Sequence, residues 1–316
     1  MTMLAFSVFG VDWQFLKPFV VIGLAFGGVY ALSGVGLVVL YRATGVLNVA
    51  FGAIGAAGAL IAYWMVNHTS WPHWLAYTTC VLFGGVVNLA YGMVFGPAFA
   101  RRDSLVKMMG TLGLALILLG IMAWLAPVGG AFARFLPLPT SEHRYTILGT
   151  SVSLTQLIAL GLALGITAGV SIFLRLTKLG TAMRALANDR EVTATLGVPV
   201  RQVEAAAWFG SGLACGAAGL LLPDLLTSLD YSALTFLVIA ALAAALIGRL
   251  ESLWMTLFGG LAVGLARAVL APMAASPYHF MQELSKYREA APFVLAIIAL
   301  LFLSRRRVVS LSRTAR

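Results

Sequence analysis

The sequence predicts an all-α fold: a polytopic transmembrane helical bundle of about 8–10 spans, with a short helix lying on its cytoplasmic side. Three observations predict it. Hydrophobic residues make up 61% of the chain and charged residues only 10%, where a soluble domain carries about 25% charged residues. The 33 glycines suit closely packed membrane helices, which use small residues at their contacts. Apolar runs of about 20 residues, the length needed to cross a hydrocarbon core of about 30 Å, recur along the chain. No soluble block exceeds about 30 residues, so residues 1–316 are read as one domain.

Nine apolar runs are candidate spans, at roughly 17–40, 46–66, 75–99, 105–126, 152–174, 204–222, 232–248, 252–271 and 290–304. Met1 to Phe15 lacks a basic n-region and a small-residue cleavage site, so the first run is expected to act as its own signal. The second run, GVLNVAFGAIGAAGAL, is rich in Gly and Ala and poor in bulky apolar side chains. A broken or re-entrant segment buried against other helices is an option there. Small residues recur four apart at Gly23/Gly27, Gly161/Gly165/Gly169, Gly212/Gly216 and Gly260/Gly264. That spacing puts them on one helix face, where another backbone can approach, and packing is their expected role. Trp13, Trp71, Trp74 and Tyr77 fall near predicted interfaces, where amphipathic rings collect.

The basic residues set the orientation. With the N-terminus outside and the C-terminus in the cytoplasm, the inner segments hold Arg42, Arg101, Arg102, Lys107, Arg175, Lys178, Arg184, Arg190, Arg201, Arg249, Arg305, Arg306, Arg307, Arg313 and Arg316. The outer segments hold Lys17, Arg134, Arg144, Lys286 and Arg288, a split of fifteen to five. Positive charge is retained on the inner side of a membrane protein. The net charge of +10 therefore points to anionic lipid and the cytoplasm, not to nucleic acid.

No catalytic or metal-binding constellation is present. The dipeptide Gly-Lys does not occur, which excludes a phosphate-binding P-loop, and neither HExxH nor GxSxG is found. His68, His73, His143 and His279 fall in or near outer segments and read as interfacial polar residues. Cys80 and Cys215 lie inside apolar runs without metal or disulfide spacing. Arg267 is the main charge within a span; it lies near the outer end, where a long side chain is expected to snorkel to the interface. Glu204 starts the sixth run, where a carboxylate favours a helix N-terminus. No carboxylate is evident at mid-membrane, which argues against an ion-coupled carrier. Asn48 and Asn88 are the amides expected inside the bundle, either facing a solute or bridging helices; bridging is the more frequent case.

Residues 175–202 form a polar, basic loop between two apolar runs. Thr181 to Leu196 is composed mostly of helix formers, with Gly180 before it, Gly197 after it and Pro199 preventing simple continuation into the next span. A short helix across the inner face is expected. Its polar side mixes Arg184, Asn188, Asp189, Arg190 and Glu191. A lipid-bound helix would more often be uniformly basic, so mixed charge suits a protein partner.

The stretch KLGTAMRALANDREVTATLGVPVRQVEAAAWFGSGLACGAAGLL resembles the coupling-loop region of branched-chain amino-acid ABC transporter permeases. Gly180, Met183, Arg184, Ala185, Asp189, Ala194, Leu196 and Gly197 match that family's pattern. A second stretch, YALSGVGLVVLYRATGVLNVAFGAIGAAGAL, resembles its N-terminal region through Tyr30, Ala31, Leu32, Gly36, Tyr41, Gly45, Asn48, Ala50 and Gly52. The short form without an N-terminal extension is similar to the LivH type. The chain departs from the family's Gly-rich stretch at IGRLESLWMTLFGG, where Arg249, Glu251 and Trp254 intrude, and it carries Val49 and Phe51 around the second motif.

The resemblance implies a non-enzymatic permease subunit of an importer in the bacterial inner membrane. It would carry a branched-chain or related amino acid past Asn48, Gly52 and Asn88. Urea, short amides, aromatic acids or sugars are alternative cargoes, and a secondary carrier is a further alternative. The implied partners are cytoplasmic ATPase subunits that bind the ATP, a second permease subunit, a periplasmic solute-binding protein and the lipid bilayer; no cofactor is implied on the chain itself. The segment with Gly180, Arg184, Ala185, Asp189, Ala194 and Gly197 would then be the coupling helix.

Overall fold

The computed structural model describes residues 7–8, 11–69, 71–99, 102–125, 136, 138–147, 149–226 and 228–301. Each of the nine predicted runs contains helix, and among the described residues six helices are long and apolar enough to cross a membrane. In chain order, a small hairpin of β1 (Ser7–Val8) and β2 (Val11–Asp12) precedes α1 (Trp13–Thr44), α2 (Phe51–His68), α3 (His73–Phe99) and α4 (Ser104–Leu125). Next come a helical turn α5 (Pro139–Glu142) and a hairpin of β3 (Arg144–Ile147) and β4 (Thr150–Ser153). After α6 (Leu154–Leu176) follow two short helices, α7 (Lys178–Asn188) and α8 (Arg190–Thr195), and then α9 (Val200–Leu226). The last part contains α10 (Tyr231–Thr235), α11 (Leu237–Ile247), α12 (Leu253–Leu270), α13 (His279–Lys286) and a helix α14 over residues 291–301. Arg101, Arg134, Arg305, Arg306, Arg307, Arg313 and Arg316, as well as residues 302–304 of the ninth run, lie outside the described residues.

The structure sharpens the sequence reading at three elements. Within the second run, one helix of 18 residues, about 27 Å long, follows an irregular start. The irregular backbone lies just before it, at residues 45–50. The seventh run is the broken one, divided at Phe236 into α10 and α11. Finally, the connection between α4 and α6 carries a β-hairpin that an all-α reading did not anticipate; its turn contains Gly149 at φ +79.

The centre of the bundle is α1, buried from Gly23 through Val38 except at Leu24. Its glycines explain how so many neighbours reach it. The Gly23/Gly27 seam lies against the Gly260/Gly264 seam of α12, and a Cβ on Gly27 would come within 2.7 Å of the Leu261 Cα. Gly28 meets the Ala159 carbonyl of α6 in the same way. The Gly212/Gly216 pair of α9 lies against Gly84 and Val81 of α3, and Gly219 lies against Gly55 of α2. Three of the four predicted seams are thus helix contacts. The fourth is not: Gly161, Gly165 and Gly169 of α6 face open space on this chain. Cys80 and Cys215 are buried free thiols, and the Cys215 Sγ donates to the Phe51 carbonyl at 2.7 Å.

Candidate functional site

Three constellations stand out, one at each end of the bundle and one in its interior. The first is the α7–α8 unit at the end where α1 terminates. Thr177 caps α7, its Oγ1 accepting from the Gly180 N–H at 2.9 Å. Gly180 therefore lies inside the helix, not before it. It packs on the backbone of Phe173 and Leu174 and turns the chain sharply out of α6. Met183 and Leu186, one turn apart, are buried with Gly180 and seat α7 against α1 and α9. The single predicted helix is two helices because Asp189 ends α7 and caps α8. Its Oδ1 accepts from the Glu191 and Val192 N–H groups at 2.9 and 3.0 Å. Asp is among the best N-cap residues, so the signal was present in Asp189-Arg190-Glu191. Gly197 closes the unit at φ +82, a conformation in which glycine avoids the Cβ strain of other residues.

The face turned away from the bundle carries Arg184, Asp189, Glu191, Val192, Ala194 and Leu196, all exposed, while Ala185 is half-buried. Arg184 reaches only Thr181 Oγ1, at 3.4 Å, and makes no ion pair among the described residues. Sequence reasoning missed the link to the bundle: Arg190 forms an ion pair with Glu204 of α9 at 2.8 Å. Glu204 thus serves a specific partner besides its favourable place near a helix N-terminus. On the same end, Arg42 donates to the Glu251 carbonyl at 3.0 Å and holds the turn between α11 and α12. In that turn Arg249 and Leu250 both have positive φ, 58° and 56°. Arg249 is one of the positions where the chain departs from a Gly-rich pattern, and non-glycine residues at positive φ carry backbone strain.

The second constellation is the buried amide pair. Asn48 Nδ2 donates to Asn88 Oδ1 at 2.8 Å, and Asn48 Oδ1 accepts from the Ala50 N–H at 3.0 Å. Thr111 Oγ1 accepts from the Val49 N–H at 3.0 Å and donates to the Leu47 carbonyl at 3.2 Å. The irregular 45–50 segment is therefore pinned to α3 and α4 by side chains that satisfy its backbone, as such a segment inside a membrane requires. Gly52, one turn into α2, lies against the Thr235 carbonyl at the end of α10.

The third constellation lies toward the opposite end of the bundle from α7 and α8. Arg267 does not snorkel. Its Nη1 donates to Tyr30 Oη at 2.9 Å, and its Nε and Nη2 donate to the two carboxylate oxygens of Glu289 at 3.0 Å each. The guanidinium also lies 4.6 Å from the Phe26 ring centroid, a cation–π distance. Tyr30, Arg267 and Glu289 line one side of a cleft of about 570 Å³, and Asp230, Phe236 and Phe293 line other parts of it. Arg267 was identifiable from the sequence as a charge within an apolar run. Its partners were not, because Tyr30 and Glu289 lie 237 and 22 positions away.

Comparison with known proteins follows from this architecture. The family model described as branched-chain amino acid transport system / permease component matches residues 19–303. A probable branched-chain amino acid transport permease protein LivH of Methanocaldococcus jannaschii is 25% identical over 81% of each chain. The high-affinity branched-chain amino acid transport system permease protein BraD of Pseudomonas aeruginosa is 24% identical over 89% of this chain and 91% of its own. LivH of Escherichia coli K12 is 23% identical, with 88% and 91% covered. Among solved structures, PsaBC from Streptococcus pneumoniae in complex with Fab shares the fold at a TM-score of 0.50 and 14% identity, with 91% of each chain covered.

Proposed function

Because the chain belongs to the branched-chain amino acid transport permease family, we propose that it is the membrane-spanning subunit of an ABC importer for branched-chain or closely related amino acids. It works in the bacterial inner membrane with a second permease subunit, two cytoplasmic ATPase subunits that bind the ATP, and a periplasmic solute-binding protein. Residues 1–316 act as one permease domain and perform no chemistry. The observation that carries the reading is the α7–α8 unit. It is seated on the bundle through Met183 and Leu186, tied to α9 through Arg190–Glu204, and presents an outward face of mixed charge with exposed Val192 and Leu196. A face of that kind fits a groove on a soluble protein. A push on α8 would reach α9, and so the packed core, through one ion pair.

In this reading Gly180, Arg184, Ala185, Asp189, Ala194 and Gly197 form the coupling element, with Arg184 the leading contact. Asn48, Gly52 and Asn88 border the substrate route from behind: Gly52 backs on to Thr235, next to the Phe236 break that faces the cleft. Arg184→Glu is expected to weaken co-purification of the ATPase at least about tenfold, since loss of a desolvated charged contact costs about 2–5 kcal/mol. It is also expected to abolish substrate-stimulated ATP hydrolysis, while the binding protein's affinity for its ligand stays unchanged. Wild-type complex yield together with wild-type stimulated hydrolysis would return this segment to a lipid-bound role.

Orientation rests on the charge split and is tested separately. Reporter fusions after Thr140 should read as periplasmic, and those after Ala187 and Arg307 as cytoplasmic. A periplasmic signal at Ala187 would place the coupling face on the wrong side for an ATPase and sink the assignment.

A further inference from the structure

We propose that the cleft between α1, α10, α12 and α14 is a binding site for a zwitterion, in which Arg267 takes the carboxylate of the solute and Glu289 with Asp230 takes its ammonium group. The inference rests on the importer reading and deepens it by naming the residues that recognise the cargo. Four observations carry it.

The first is depth. Gly264 of α12 lies on Gly27 of α1 and Gly260 lies on Ala31, so the Arg267 backbone is level with residues before Gly27. Its guanidinium nevertheless reaches Tyr30, which stands near the middle of the 32-residue α1. The charge is therefore held between the Tyr30 hydroxyl and the solvated Glu289 carboxylate, at the mouth of the cleft, and a charge so placed within an apolar run marks a candidate solute path. The second is unequal burial of the pair. The Arg267 side chain is 16% exposed and that of Glu289 62%. The cation is fixed by Tyr30 and Phe26, while its carboxylate partner is the solvated member and can leave. The third is shape: about 570 Å³ falls within the range of about 300–1,000 Å³ typical of small-molecule sites. The fourth is composition. Opposite charges share the cleft with Phe236, Phe293, Leu237 and Ala233, which suit a short apolar side chain.

An amino acid can enter such a site with every charge still paired. Its carboxylate replaces Glu289 on the Arg267 fork, a bidentate geometry suited to either carboxylate. The displaced Glu289 then pairs with the ammonium group beside Asp230. No net charge is created, which matters where an unpaired ion is expensive. A solute with only a carboxylate leaves Glu289 to Arg288, 3.4 Å away, and one with only an ammonium group meets Asp230, so each gains one ion pair where an amino acid gains two, and each is bound more weakly.

The test uses the complete importer in proteoliposomes, with uptake of labelled leucine and the yield of assembled complex measured side by side. The charge-swapped variant Arg267→Glu with Glu289→Arg restores an ion pair but reverses the polarity of the site. The proposal expects it to assemble with the ATPase and binding protein at the yield of the unsubstituted chain and to lose at least about tenfold in uptake. Uptake restored by the swap means the pair is only a structural latch, and overturns the proposal. If the swapped protein does not assemble, the neutral pair Arg267→Gln with Glu289→Gln is read by the same rule: a selective tenfold loss of uptake supports the site, and unimpaired uptake overturns it. Equal uptake of isoamylamine or 4-methylvalerate by the unsubstituted complex overturns the zwitterion site but leaves the importer reading intact. No ATP-driven uptake of any amino acid by that complex overturns the importer reading and the site with it.

Discussion

Valine in place of Gly264 is expected to lower the stability of the bundle by about 3 kcal/mol. Gly264 lies directly against the backbone of Gly27 and the Gly23 carbonyl, so a new side chain meets main chain on both sides and has no flexible neighbour to displace. The whole of α12 would have to move off α1, breaking the contacts at Gly23, Gly27 and Gly260 together. Overpacking in a well-packed core costs about 1–3 kcal/mol, and a backbone-on-backbone seam belongs at the upper end or beyond. A loss of about 3 kcal/mol lowers the folding equilibrium constant on the order of a hundredfold. Thermal denaturation of the detergent-solubilised protein measures it. Gly161→Val is the control, since Gly161 faces open space on this chain and surface changes stay within about 0.5 kcal/mol. Equal losses in the two variants would contradict the α1–α12 seam.

Asn48→Leu is expected to lower stability and uptake together. The substitution leaves the Ala50 N–H and Asn88 Oδ1 without their hydrogen-bond partner in a buried setting. Each such group costs about 1–3 kcal/mol, so the sum is about 2–4 kcal/mol. It also unpins the 45–50 segment from α3, so the start of α2 loses its anchor. The surviving protein should still hold the ATPase, because the pair lies within the bundle and away from the outward face of α7 and α8. Adding Asn88→Leu should cost less than the sum of the single changes, since it removes the stranded oxygen. Strict additivity in thermal denaturation, or loss of uptake at unchanged stability, would show that the amides act other than as a bridge.

Much of the architecture was legible in the chain. The apolar runs, the paired glycines of α1 and α12, the polar 175–202 segment and the burial of Asn48 and Asn88 all follow from hydropathy and i, i+4 spacing. The errors have local causes. Gly/Ala richness suggested a break in the second run, and the irregular part is confined to residues 45–50, while α2 is continuous from Phe51 with α3, α9 and α10 packed on its backbone. The division of the 175–202 segment at Asp189 follows from its capping geometry, which a reading by charge alone passed over. Arg267 was expected at the surface because a span end normally offers a route to water, yet it is held between the buried Tyr30 and the solvated Glu289.

By itself the sequence determined that this is a multi-pass helical membrane protein, where its helices run and which stretches tie it to its permease family. Those properties depend on short-range patterns: the length of an apolar run, the repeat of a helix face and the residues of a motif. Only the tertiary structure decided which seams are occupied, that Arg190 holds Glu204, that Asn48 holds Asn88, and that Arg267 is held between Tyr30 and Glu289. A buried polar group must find a partner wherever packing brings one, and in these pairs the partner lies from 14 to 237 positions away along the chain, beyond the reach of any local pattern.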